Sequence, residues 1–164
     1  MRGIRSALVI ALAVPALAWS QAAQKPSIDE LKATLEIMES NVSRISQSLE
    51  SDRWSANISL WRMRLGRMNS LQKADLGWMR PSLDSIATIV AQIRNPDERQ
   101  RWEANRDLWQ ATLEHAGMPS GADLSAMKAT YREMHANVAN ITAPGESERW
   151  TANCELWKAV LGVR

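Results

Sequence analysis

The chain is expected to fold as an all-α protein: three tandem 48-residue αα-hairpin repeats, six helices in all, closed into a compact pseudo-threefold bundle in preference to a short open solenoid. Three observations lead there. The motif Arg-Trp-x-Ala-Asn-x-x-Leu-Trp-x-x-x-Leu begins at Arg53, at Arg101 and at Arg149, two ungapped steps of 48 residues. A fixed period of that size marks a repeat architecture. Upstream of each motif, apolar residues recur at alternating steps of 3 and 4, the spacing of one helix face. Finally, the third copy is no more polar than the other two, whereas a solenoid needs polar end repeats.

The first 18 residues read as a secretory leader. Arg2 and Arg5 give a basic start, an apolar run extends from Ala7 to Leu17, and Ala16-Leu17-Ala18 places small residues where a signal peptidase cuts. The run is too short to span a bilayer, so no stable membrane span is expected once it is removed. Residues 19–26 form a polar lead-in, and residues 27–164 a single domain with repeats at about 19–66, 67–114 and 115–162. The expected location is therefore periplasmic or secreted.

Charge narrows the partners. The chain holds 20 Lys and Arg against 18 Asp and Glu, and loss of Arg2 and Arg5 with the leader makes the balance even. A near-neutral protein lacks the broad basic footprint of a nucleic-acid binder. The single Cys154 cannot form an internal disulfide, and it reads as a small buried apolar residue.

The first helix of each hairpin carries the apolar stripe. Its members are Ile28, Leu31, Leu35, Met38, Val42 and Ile45 in copy one. Copy two has Leu76, Met79, Leu83, Ile86, Val90 and Ile93, and copy three has Leu124, Met127, Tyr131, Met134, Val138 and Ile141. Ser27, Asp75 and Asp123 align ahead of these stripes as N-caps, and Ser27 with Glu30 makes a capping box. Pro81 predicts a kink in the second copy, or a helix that starts there.

The second helix of each hairpin is expected over about 49–66, 97–114 and 145–162. Pro96 and Pro144 suit a first helical turn, and Glu50, Glu98 and Glu146 suit the positive end of the helix dipole. Only a narrow arc is polar, with Ser55, Ser59 and Arg62 in copy one. The second helices therefore belong inside and the first helices outside.

Ten positions are identical in all three copies: Val42, Ile45, Glu50, Arg53, Trp54, Ala56, Asn57, Leu60, Trp61 and Leu65 with their equivalents. Asn57, Asn105 and Asn153 fall in the middle of the apolar arc, where an amide requires partners. Arg53, Arg101 and Arg149 stand one turn away, with Trp61, Trp109 and Trp157 on the other side. One reading is a polar lock that sets how the hairpins pack. The other is a ligand contact inside a tryptophan-lined pocket. The Arg can donate to the Asn oxygen or stack on Trp, and the indole N–H groups can use the same oxygens. Trp78 departs from the repeat, since it takes a polar slot of its helix, and is a contact candidate on different grounds.

Catalytic and metal signals are weak. His115 and His135 are the only histidines and are not register-equivalent, and there is no HExxH, CxxCH or cysteine cluster. Met38, Met79, Met127 and Met134 sit on the apolar stripes, which makes them core and not copper ligands. No cofactor, metal site or catalytic residue is expected. Three glycosylation sequons begin at Asn41, Asn57 and Asn140, of which Asn57 is too deep in the arc to be modified.

These features predict a bacterial cell-envelope protein that acts as a protein-binding or scaffold module. The alternative is a carrier of a small apolar ligand held between the second helices. Homo-oligomerisation is compatible with either.

Overall fold

The computed structural model describes residues 25–67, 73–115 and 119–163. The leader expected over 1–18 lies outside them, as does most of the lead-in. The described chain is all-helical: α1 Ile28–Val42, α2 Ser48–Gly66, α3 Lys73–Val90, α4 Pro96–Glu114, α5 Gly121–Val138 and α6 Pro144–Leu161. Each helix packs against the next, and α1 also packs against α6, so the six close into a ring. An open stack would leave α1 and α6 apart. The closed bundle is what the sequence favours.

The second helices follow the repeat closely. α2, α4 and α6 each start one residue earlier than the pattern predicts. Pro96 and Pro144 occupy the first turn, where the missing N–H has no intrahelical partner to lose. The Asn95 side chain accepts from the Glu98 N–H at 3.1 Å and so caps α4. α6 ends on Gly162, whose φ of 61° is the left-handed conformation that favours glycine.

The first helices differ in their starts. Ser27 caps α1 through the expected box: it accepts from the Glu30 N–H, and Glu30 accepts from the Ser27 N–H at 2.6 Å. Asp123 is not a cap. α5 begins three residues before the register predicts, because the Ser120 hydroxyl captures the Asp123 N–H. Asp75 likewise lies inside α3, which starts at Lys73. Nor does α3 begin late at Pro81: it runs through that residue. Pro81 is exposed, and the carbonyl it leaves without an intrahelical donor belongs to Gly77, itself on an exposed stretch.

The stripes bury their middles. Leu31, Leu35 and Met38 are buried on α1, Leu83, Ile86 and Val90 on α3, and Met127, Tyr131 and Met134 on α5. Ile28 remains on the surface, and Val42 and Ile45 are partly covered. The second helices supply the six fully buried tryptophans, Trp54, Trp61, Trp102, Trp109, Trp150 and Trp157. Among the described residues, no helix is long and apolar enough to cross a membrane.

Candidate functional site

Nine of the ten candidate residues converge on the axis between α2, α4 and α6, in successive layers. At the level of the asparagines, Asn57 Nδ2 donates to Asn153 Oδ1, Asn105 to Asn57 and Asn153 to Asn105, each at 3.0 Å. The three amides thus form a closed cycle. Each oxygen accepts a second bond from an indole: Trp61 donates to Asn153 at 2.8 Å, Trp109 to Asn57 at 2.8 Å and Trp157 to Asn105 at 2.9 Å. Two donors fill the two lone pairs of an amide oxygen. The Asn57 and Asn153 nitrogens also face the thioethers of Met38 and Met134, at 3.8 and 4.0 Å. Copy two has Ile86 at the matching position.

Tryptophan triangles lie on either side of this ring. Trp54, Trp102 and Trp150 meet edge to face with ring centroids 4.9–5.0 Å apart. Trp61, Trp109 and Trp157 do the same at 4.7 Å. The T-shaped geometry places the positive edge of one indole on the negative face of the next, and a triangle lets each ring do both.

None of the three arginines hydrogen-bonds to Asn57, Asn105 or Asn153, although Arg101 donates to Asn137 of α5 at 3.0 Å. Each reaches forward to the next copy. Arg53 pairs with Glu98, Arg101 with Glu146 at 2.7 Å, and Arg149 with Glu50 at 2.6 Å, which closes the cycle. Each guanidinium also lies over a tryptophan of that next copy, Arg53 over Trp102, Arg101 over Trp150 and Arg149 over Trp54, at 5.5–5.7 Å. Burial pushes the Arg53 pKa down, and the glutamates Glu98, Glu50 and Glu146 oppose it. The glutamates, whose expected role was only to suit the helix dipole, are therefore partners in an inter-repeat ion-pair ring. Their identity in three copies was the available signal. What hid the pairing is that it spans 45 residues in two pairs and 99 in the third, between copies and not within one.

Trp78 stands apart. It is 76% exposed on α3 and borders a shallow groove of about 360 Å³ with Arg62, Met63, Gly66 and Arg67 of the α2 end. Its register equivalents are Glu30 and Ala126, so the indole is peculiar to the second copy. A larger cleft of about 830 Å³ opens where α2, α4 and α6 end, and no residue of the tryptophan layers lines it.

Cys154 is buried, and burial pushes its thiol up to about 12. Among the described residues, no group of three or more His, Cys, Asp or Glu side chains could hold a metal ion. The chain matches no protein-family profile, no curated protein and no solved structure.

Proposed function

We propose that this chain is an exported cell-envelope helical-repeat protein that works as a protein-binding or scaffold module, with the face around Trp78 as its contact surface. The observation that carries this reading is the contrast among tryptophans. The six repeated indoles are fully buried, whereas Trp78 is 76% exposed beside Arg62 and Met63 of α2. Trp and Arg are enriched among the side chains that dominate protein interfaces, because they combine large contact area with directed polar groups. Exposing an indole has a hydration cost that packing within the bundle does not require, since Glu30 and Ala126 serve at the equivalent positions.

The leader read from the sequence supports an envelope location. A carrier with a cavity between the second helices is the other reading, and no observation favours it. The indoles there touch one another, and the amide oxygens are fully engaged.

The test is capture of envelope proteins by the wild-type chain, by Trp78→Ala and by Met63→Ser. Loss of a specific partner with unchanged melting supports the reading. Retention of every partner by both variants refutes it.

A further inference from the structure

Positions 54, 57 and 61 of the second helices are identical in all three copies, but towards the carboxyl end the copies part. Copy one continues with Arg64 and Arg67, copy two with Thr112 and His115, and copy three with Val160 and Val163. Both valines are half-buried and line the cleft of about 830 Å³ at that end of the bundle. The fold accepts a cation, a hydroxyl or an imidazole at these positions, so packing does not call for apolar residues there. Leaving them on a cleft wall has a hydration cost that a ligand would remove.

Charge matching narrows the ligand. Leu124, Met127 and Ala159 extend the apolar wall. Of the charged lining, Arg64 has a partner of its own, Lys158 lies 3.5 Å from Glu155, and Lys25 is exposed to water. A ligand in the cleft therefore meets no stranded charge to neutralise. The uncharged polar side chain of the lining is Thr112, which is buried. Its hydroxyl donates to the Leu108 carbonyl at 2.8 Å, so Oγ1 retains acceptor capacity only. An oxygen that can only accept selects a ligand that donates: a hydroxyl suits it, whereas an ether or a carboxylate does not. The volume lies within the roughly 300–1,000 Å³ of small-molecule sites, which are mostly apolar with a few polar groups that orient the ligand.

We propose that this end cleft binds an uncharged aliphatic alcohol, with its hydroxyl donating to Thr112 Oγ1 and its chain against Leu124, Met127, Val160 and Val163. One hydrogen bond selects the head group, and the apolar area removed from water retains the chain. The site shares no lining residue with the groove beside Trp78, and it stands or falls independently of that face.

The experiment is calorimetric titration of the full chain with decanol, decyl methyl ether and decanoate. Decanol is expected to bind saturably at one site. The ether has the same chain and no donor, and should bind roughly two- to tenfold more weakly, the loss of one neutral hydrogen bond. Thr112→Val should abolish that preference, and Thr112→Ser should keep it. Val160→Thr combined with Val163→His installs the residues that copy two carries at the equivalent positions, so the melt should hold while decanol binding weakens roughly tenfold. Absence of saturable decanol binding overturns the proposal, as do equal affinities for alcohol and ether, tighter binding of decanoate than of decanol, or an unaltered preference in Thr112→Val. A dimer of the ligand-free chain that the double variant dissociates would give the cleft to a second copy, and overturns it as well. Should the double variant fail to fold, a diazirine-bearing decanol replaces it. Crosslinks on the peptides of Leu124–Met127 and Ala159–Val163 support the site, and crosslinks confined to other peptides overturn it.

Discussion

Asn57 and Asn153 are 96 residues apart in the chain and joined by an amide–amide hydrogen bond of 3.0 Å. The accepting oxygen of Asn153 also takes the Trp61 indole at 2.8 Å. A buried amide is costly when alone, and a pair of amides still leaves groups unmatched. Three amides in a cycle with three indoles fill every oxygen with no water and no ligand. The ring also requires all three hairpins together, so it links local packing to closure of the bundle.

Asn105→Leu should therefore be severe for a substitution of similar size. It leaves the Asn153 amide and the Trp157 indole without their acceptor. Two buried donors without partners cost about 2–6 kcal/mol in total. Urea melts would measure it, and size-exclusion profiles would show whether closure survives. The triple change at Asn57, Asn105 and Asn153 should cost less than three times the single one, because each single change also strands its neighbours' groups. An unchanged melt for Asn105→Leu would exclude the ring as a structural lock.

Trp54→Ala, Trp102→Ala and Trp150→Ala should each lower stability by about 3–5 kcal/mol, the usual range for emptying a buried aromatic site. Their environments are near-copies, with two edge-to-face contacts and one guanidinium apiece. The three values should accordingly agree to within about 1 kcal/mol. A large difference among them in thermal melts would mean that the three sites are not energetically equivalent.

Glu98 sets a pH dependence. Burial, the largest cause, holds its carboxyl above the ordinary 4.5, with repulsion from Glu146 and Glu50 added and Arg53 opposing. The folded state thus holds the Glu98 proton more tightly than the unfolded chain does. That contribution is complete below 4.5 and is lost as the pH rises through the raised value. Glu98→Gln lacks this loss. Relative to the parent, its melting temperature should improve from acid towards neutral pH, and a difference that moves the other way would contradict the assignment.

Cys154 should be inert in the native protein. Its thiol is buried and pushed up to about 12, so the thiolate that reacts is scarce at neutral pH. Alkylation by iodoacetamide is expected only after denaturant is added. Rapid labelling of the folded chain would show that α6 opens locally.

Sequence alone determined the helices and their order. A period of 48 places six helices, and the apolar spacing within each unit says which face is buried. It also put Asn57 among tryptophans and matched indole donors to amide oxygens, because a buried polar group must be paired and the candidates were few. It misjudged the starts of α3 and α5, where Ser120 and not Asp123 caps α5, since a serine three residues upstream caps an earlier turn and takes the N–H of Asp123 itself. Tertiary structure alone decided the partners across the axis. Repeat identity shows that Arg53 and Glu50 recur, but not that Arg53 reaches Glu98 or that Arg149 returns to Glu50. Those pairings depend on how three hairpins turn about one axis. Closure brings the first copy against the third, and that contact is a property of the rotation between units, which periodicity along the chain does not contain.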